Sequence, residues 1–173
     1  MRKKAEQRKF KMYGLVPYNI SPEQKGIQYG HAVVRYGRKY RSAKTKIGKD
    51  YHEWEWNGET FIILNGGTTN LNHDRLGTLN VHLKTLIEHG IVVATFYEPD
   101  LGDQLTAVVF LVDDRVWDRE TYPDFEYPRG YPKSYNWDSD PSYVKWKKQF
   151  NTDKHMTDQL IWLRSFLRPF KKA

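Results

Sequence analysis

The chain has 173 residues, enough for one ordinary domain with an appendage, and it contains no cysteine, which excludes disulfides, thiolate metal sites and cysteine nucleophiles. Its 28 Lys and Arg residues outnumber its 21 Asp and Glu residues, and the net charge of +7 favours polyanionic partners such as nucleic acid. Because no apolar run approaches the roughly 20 residues that span a bilayer, we expect a cytoplasmic protein without a membrane partner.

The composition and the hydrophobic pattern of the sequence change twice along the chain. Residues 1–9 form a charged basic arm, residues 10–113 alternate between apolar runs and helical patterns, and residues 114–173 form a Tyr- and Pro-rich extension with terminal helices. Acidic residues are sparse up to residue 49 and dense from Glu98 to Asp140. We therefore expect a basic lobe and an acidic lobe.

The first two elements are a strand and a long helix. The run "FKMYGLV" at 10–16 predicts a strand, and Pro17 ends it. A helix is predicted to begin after Ser21 and to continue to about Tyr40. Ser21 can cap it, Pro22 suits its first turn, and Gln24 can complete a capping box with Ser21.

The helix carries a narrow stripe of small residues at positions 26, 30, 33 and 37, three of which are glycine. Since glycine costs a helix about 1 kcal/mol relative to alanine, we predict that the stripe lets the sheet approach the helix backbone closely. The basic residues on this helix and at its end admit two interpretations, a solvated face or contact with phosphates. They are Lys25, Arg35, Arg38, Lys39 and Arg41.

The central segment predicts further strands and one more helix. Residues 42–60 carry turn and charge signals, with a turn at Asn57-Gly58, before a strand at 60–65. Leucines at helical spacing predict a helix over 75–88. The apolar runs 91–97 and 105–112, joined by "EPDLGDQ", read as a hairpin of buried strands. The predicted order is β-α-β-α-β-β.

Beyond Asp113 the sequence predicts a long irregular connection, followed by helices at about 142–150 and 152–166, the last with Met156, Leu160, Leu163 and Leu167 on one face. The tyrosines and tryptophans interspersed with proline in this extension are typical of a segment that wraps a surface. The extension either pads the domain or binds a partner.

Four stretches together resemble one known family. They are "KMYGLV" as the first strand, "SPEQKGIQYGHA" as a helix start, "FIILNGG" as the second strand, and "LIEHGIVVATFYEPD…LTAVVFLV" as helix, strand, acidic turn and final strand. In order and spacing, residues 10–113 resemble the class II peptidyl-tRNA hydrolases, especially short phage-encoded members of that superfamily. The resemblance implies a small α/β fold, a four-stranded mixed sheet with helices on both faces, and hydrolysis of the ester between a peptide and the 3′ end of tRNA.

The resemblance also implies site residues. Gln28 and His31 occupy the family's glutamine and histidine positions, Thr106 its threonine at the start of the last strand, and Glu98 the position of its active-site aspartate. The chain departs from the family at the helix start, where Gln24 replaces a lysine and the nearest cation, Lys25, lies about 100° further around the helix. Pro22 and Glu23 replace glycines there, so Glu23 opposes an approaching phosphate.

The predicted catalytic residues are therefore His31, Glu98, Thr106 and Gln28, and the predicted substrate-binding residues are Gln24, Lys25, Arg35, Lys39 and Asp100. For His31, a packed and hydrogen-bonded histidine on the sheet side of the helix is the alternative. The turn "NGGTTN" at 65–70 is either a simple strand-to-helix turn or an anion-binding loop. The histidine spacing gives no ligand set, so neither a metal nor another cofactor is expected.

Two functions from different classes remain. The first is a peptidyl-tRNA hydrolase-like protein that binds tRNA or another RNA end and cleaves an ester there. The second is a non-catalytic phage protein that uses the same fold to bind a host protein, through residues 114–173, or a nucleotide. Either would act in the cytoplasm, which is the host cytoplasm if the protein is phage-encoded.

Overall fold

A computed structural model describes residues 9–70, 74–132, 134–150 and 157–173. The chain forms two compact units: the residues up to Asp113 together with Pro169–Ala173, and Asp114–Arg168. The predicted basic arm, except Lys9, lies outside the described residues, as does residue 156 of the last predicted helix. In the described part of the chain, no helix is long and apolar enough to cross a membrane.

The first unit is built on a four-stranded mixed sheet with strand order β2-β1-β4-β3. The strands are β1 (Phe10–Pro17), β2 (Phe61–Gly67), β3 (Ala94–Glu98) and β4 (Gln104–Asp113). β1 pairs with β2 in parallel and with β4 antiparallel, and β3 pairs with β4 antiparallel. The predicted α/β class and the four-stranded mixed sheet are confirmed. The finer assignment to the class II peptidyl-tRNA hydrolase fold stays a prediction.

Helix α1 (Pro22–Tyr40) packs on one face of the sheet and has the predicted limits and capping box. The Ser21 hydroxyl accepts from the Gln24 amide at 3.2 Å, and the Gln24 side-chain oxygen accepts from the Ser21 amide at 3.1 Å. The helix buries Tyr29, Ala32 and Tyr36 against the strands. Tyr29 lies so close to Gly14 that a Cβ on this glycine would come within 2.3 Å of the tyrosine ring.

A helix that was not predicted follows on the same face. The predicted order has only turn and charge signals between α1 and the second strand, and this is wrong, because Lys46–Asn57 forms α2. The Thr45 hydroxyl caps it by accepting from the Gly48 amide at 3.0 Å. Tyr51 and Trp54, three residues apart, bury their rings in the core shared with α1. The single apolar stripe is short and interrupted by charges, which is why the helical period was missed.

Helix α3 (Thr78–Glu88) lies on the opposite face of the sheet. Its Leu79 approaches Gly66, and a Cβ on Gly66 would also meet Leu15, whose side chain points away from the α1 face. Helices therefore cover both faces. The helix begins three residues later than predicted, because Gly77 is its N-cap and the Gly77 amide donates to the Asn70 carbonyl at 3.0 Å, in the turn after β2.

The small-residue stripe of α1 was predicted to let the sheet approach the helix backbone closely, and this is wrong. A Cβ on Gly26 or Gly30 would meet nothing within 4 Å, whereas one on Gly37 would come within 2.6 Å of the Tyr51 hydroxyl. Only Gly37 therefore permits a close approach, and it is to α2 rather than to the sheet. The other two glycines line an open groove of about 450 Å³ with Tyr29, Val33, Val34, Phe61 and Ile63.

These contacts predict opposite effects for one substitution at two helical glycines. Gly30→Ala is expected to raise the free energy of unfolding by about 0.5–1 kcal/mol, because the helix gains propensity and the methyl group meets open space. Gly48→Ala is expected to lower it by about 2 kcal/mol or more, because the new Cβ would lie 1.8 Å from the Ser42 carbonyl oxygen. Urea denaturation measures both. A destabilised Gly30→Ala would contradict the open groove.

The last residues of the chain extend the edge of the sheet. The Asn65 amide donates to the Lys171 carbonyl at 2.9 Å, and the Ala173 amide donates to the Ile63 carbonyl at 3.0 Å, on either side of an antiparallel bridge between Leu64 and Lys172. Residues 169–173 thus belong to the first unit, although the sequence placed them with the extension. The pairing covers part of an edge strand that would otherwise expose its backbone.

The second unit holds α4 (Asp114–Trp117), a 3-10 turn at Trp137–Ser139, α5 (Pro141–Phe150) and α6 (Asp158–Leu167). Its buried centre is Arg164, which is 4% exposed. The guanidinium donates to the carbonyl oxygens of Val116 at 3.0 Å and Tyr122 at 2.7 Å, to that of Arg115, and to the Asp124 carboxylate at 2.7 Å. One side chain therefore satisfies three backbone carbonyls of the irregular connection and pairs with one carboxylate.

Candidate functional site

The predicted site residues Gln28, Glu98 and Thr106 form one hydrogen-bonded chain. The Thr106 hydroxyl donates to the Gln28 side-chain oxygen at 3.0 Å, and the Gln28 side-chain nitrogen donates to a Glu98 carboxylate oxygen at 2.5 Å. Thr106 is fully buried and Gln28 is 7% exposed. We call this chain the Thr106–Gln28–Glu98 relay. It fixes the amide orientation of Gln28, because a carboxylate can only accept.

A β-bulge turns Thr106 towards α1. In the pairing of β3 with β4, Phe96 lies opposite Ala107 and Tyr97 lies opposite Leu105, so Thr106 is the extra residue. In a regular strand the residue beside Ala107 would face away from α1, because side chains alternate between faces. The bulge interrupts that alternation and brings the Thr106 hydroxyl to Gln28.

The relay ends at a small pocket. The pocket has a volume of about 130 Å³ and is lined by Ile20, Gln24, Gln28, Glu98, Asp100 and Leu101. Asp100 belongs to a 3-10 turn, Pro99–Leu101, that follows β3. The pocket thus brings together four of the nine predicted site residues, Gln24, Gln28, Glu98 and Asp100. Its polar groups are two amides and two carboxylates, a set that can bind hydroxyl groups and position a water molecule.

The N-terminus of α1 is already neutralised by an acidic side chain. The pKa of Glu23 lies below its ordinary value, because its own backbone amide and the Ser21 hydroxyl donate hydrogen bonds to the carboxylate. Glu23 therefore occupies the positive end of the helix dipole in place of an external anion. A phosphate is better accommodated further along α1, where the exposed cations lie.

His31 does not line this pocket, and it makes no hydrogen bond to the described part of the chain. It is exposed, and its ring stacks on that of Phe96, with centroids 4.5 Å apart and planes at 16°. The Arg35 guanidinium also covers the Phe96 ring, 4.4 Å from its centroid, and donates to the Thr95 carbonyl at 3.3 Å. His31 is therefore packed, as one interpretation of the sequence expected, but through ring stacking instead of a hydrogen bond.

The remaining predicted binding residues lie along α1 outside the pocket. Lys39 is exposed with its ammonium 5.0 Å from the Tyr40 ring centroid, and Lys25 is partly buried. Gln24, Gln28, His31, Arg35 and Arg38 follow one another at steps of four, three, four and three, which aligns them on one side of the helix. We call this line the α1 ridge; at 1.5 Å per residue it is about 21 Å long.

Backbone amides of the "NGGTTN" turn donate hydrogen bonds to side chains of the protein. The Gly67 amide donates to the Asn65 side chain at 2.9 Å, the Thr68 amide to the Thr78 hydroxyl at 2.8 Å, and the Asn70 amide to the Asn80 side chain at 3.0 Å. These donors are taken up within the fold. The structure therefore favours the simple strand-to-helix turn over an anion-binding loop.

Sequence reasoning missed Phe96, the ring on which His31 and Arg35 pack. Phe96 stands two residues before Glu98 in a strand that read as uniformly apolar, so nothing in the pattern distinguished it. In the described part of the chain, no three His, Asp or Glu side chains cluster so as to hold a metal ion.

The fold and the pocket define an α/β protein with a carboxylate-bearing site at the end of an edge strand. No protein-family model matches the chain, and no curated protein sequence matches it.

Proposed function

We propose that this protein is a peptidyl-tRNA hydrolase-like enzyme that binds the 3′ end of tRNA, or a similar RNA end, and hydrolyses an ester there. The observation that carries the proposal is the relay. It holds the Glu98 carboxylate at the pocket with one oxygen bound to the Gln28 amide, which leaves the other oxygen for water. A fixed carboxylate is one of the groups that serve as general bases in proteins.

The proposed chemistry needs only these side chains and water. The Glu98 carboxylate takes a proton from water as the water oxygen bonds to the ester carbonyl carbon. The bond from that carbon to the ribose oxygen then breaks, and the proton passes from Glu98 to the leaving 3′ oxygen. The products are a free carboxylic acid and a 3′ hydroxyl. The Gln24 side-chain nitrogen can donate to the developing oxyanion, because its oxygen is held by the Ser21 amide.

The proposed path of the RNA follows the α1 ridge. Asp100 lines the same pocket and can accept a hydrogen bond from a ribose hydroxyl. Arg35, Arg38 and Lys39 are exposed along the helix away from the pocket, where they can contact successive phosphates. On this proposal, the ester lies in the pocket and the negative charge of the strand lies beside the cations, away from Glu23.

The test is release of the acyl group from N-acetyl-aminoacyl-tRNA by the purified full-length chain. We expect release at least 100-fold faster than without protein, which is the low end of what a general base contributes. An amide-linked analogue, in which nitrogen replaces the 3′ oxygen, should bind without being cleaved, and its affinity should fall as salt rises. Binding that is indifferent to salt, or no release at all, would overturn the proposal.

A second candidate function is non-catalytic binding of a host protein through the extension. The observation that favours it is an aromatic cluster in the second unit, in which Tyr127 and Tyr131 are half exposed. The cluster surrounds Trp137, whose ring centroid lies 4.6–5.8 Å from four others. Its members are Phe125, Tyr127, Tyr131, Tyr135, Trp137, Tyr143 and Trp146. This candidate predicts no acyl release and a bound protein that is lost in a Tyr127→Ser, Tyr131→Ser double variant.

A further inference from the structure

The His31 ring is a flat aromatic surface presented to solvent next to the relay. Its contact with Phe96 holds it in a fixed plane, and it has no hydrogen-bonding partner in the described part of the chain. A general base or acid is normally oriented by a polar partner on its second nitrogen. His31 is instead oriented by ring stacking, which fixes the plane of the ring and leaves a face of it available.

Phe96 serves as a rigid support for that surface. It is only 9% exposed, because His31 and Arg35 both pack on its ring. The Phe96 carbonyl oxygen lies 3.4 Å from the Thr106 hydroxyl, so the backbone that carries this ring also borders the relay. Phe96 therefore borders the same relay that positions Glu98.

The positions of His31 and Gln28 on α1 are compatible with one nucleotide. His31 and Gln28 are three residues apart on α1, which places their Cβ atoms about 5–6 Å apart on one side of the helix. A ribose spans a similar distance between its base and its 3′ oxygen. With the 3′ oxygen at Glu98, the terminal base could lie on the His31 ring, and the phosphates on its 5′ side could contact the exposed cations of the α1 ridge.

We infer that His31 is a stacking platform for the terminal nucleobase of the RNA, and that it thereby positions the substrate instead of transferring a proton. This inference rests on the proposed function, because the ester at Glu98 sets where the base lies. The site would take any planar heteroaromatic base, since stacking is tolerant of base identity. In this role His31 is a binding residue, and its aromatic ring is required whereas its nitrogen atoms are not.

The experiment uses a short RNA whose 3′-terminal base is 2-aminopurine, a fluorescent base that is quenched when it stacks, with the full-length protein in excess. We expect quenching by the wild-type protein. His31→Ala should abolish the quenching and weaken binding about 5- to 150-fold, the range that base stacking contributes. His31→Phe should retain the quenching and bind within about threefold of wild type. Because His31 is exposed, neither change threatens the fold, and matching urea midpoints verify this.

Three controls make the result decisive. His89→Ala removes another exposed histidine, at the end of α3, and should leave the quenching as it is. An RNA with 2-aminopurine six nucleotides from its end should show little quenching. Free AMP tests whether a nucleotide alone suffices. If it binds in a His31-dependent way while the RNA does not bind, the platform stands and the proposed RNA function falls.

Two outcomes would overturn the inference while leaving the proposed function intact. The first is quenching that persists in His31→Ala, which would place the base elsewhere. The second is a His31→Phe variant that is as impaired as His31→Ala, which would show that an imidazole nitrogen is needed.

Discussion

Glu98→Gln is expected to lower the rate of acyl release from N-acetyl-aminoacyl-tRNA by about 100- to 10,000-fold, the contribution typical of a general base. The substitution keeps the size of the side chain and its contact with Gln28, but the amide cannot take a proton from water. The Michaelis constant should change little, because the pocket keeps its shape. Single-turnover kinetics separate the loss of the chemical step from a loss of binding.

Asp103→Asn is the matched control for this variant. Asp103 lies in the same acidic turn as Glu98, is exposed, does not line the pocket, and has a φ of 57°, a backbone conformation that asparagine tolerates. We expect it to release the acyl group at the wild-type rate. Equal losses in both variants would point to the overall negative charge of the turn, and an active Glu98→Gln would remove Glu98 from the mechanism.

Arg164→Met is expected to destabilise the second unit by about 3 kcal/mol. The substitution keeps much of the buried volume but leaves the carbonyl oxygens of Val116 and Tyr122 without their donor. The cost is at the lower end for a broken buried ion pair, because Asp124 is about half exposed and can return to water. Hydrogen exchange should show amides of α6 and of the segment around Tyr122 exchanging about 100-fold faster.

Arg168→Met is the matched control, since Arg168 is an exposed arginine just after the same helix. We expect its exchange rates to match those of the wild-type protein. If Arg164→Met also matched the wild type, the buried guanidinium would have no net stabilising effect, as happens when desolvation cancels the gain from pairing.

The sequence predicted the sheet well because its strands are continuous apolar runs. "LTAVVFLV" is buried on both faces as part of β4, and such a run has few alternatives within a small α/β domain. The start of α1 was predictable because the Ser21-Gln24 capping box marks it, and basic residues fill its last turn, where cations favour a helix end. α2 was not, because its two buried rings are separated by charged residues and its cap is a single threonine.

The candidate site was only partly predictable. Gln28 and Glu98, which the resemblance assigned to one site, form a hydrogen bond in the structure, whereas their catalytic role stays a prediction. The opposite happened with Gly26 and Gly30, where small residues suggested tight packing and the structure shows open space. A sequence pattern gives the size of a side chain, whereas the space beside that side chain depends on which distant residues the fold brings next to it.

Because of the bulge in β4, the position of the Thr106 hydroxyl depends on the number of residues in the hairpin between β3 and β4. Deleting one residue between Gly102 and Thr106 would let the hairpin pair without interruption and would send the threonine hydroxyl to the far side of the sheet. The strands could still form, yet Gln28 would lose its anchor. An alignment of relatives by residue identity alone would be misleading at the hairpin, because a relative one residue shorter there could keep Gln28, Glu98 and Thr106 while losing the hydrogen-bonded relay that joins them.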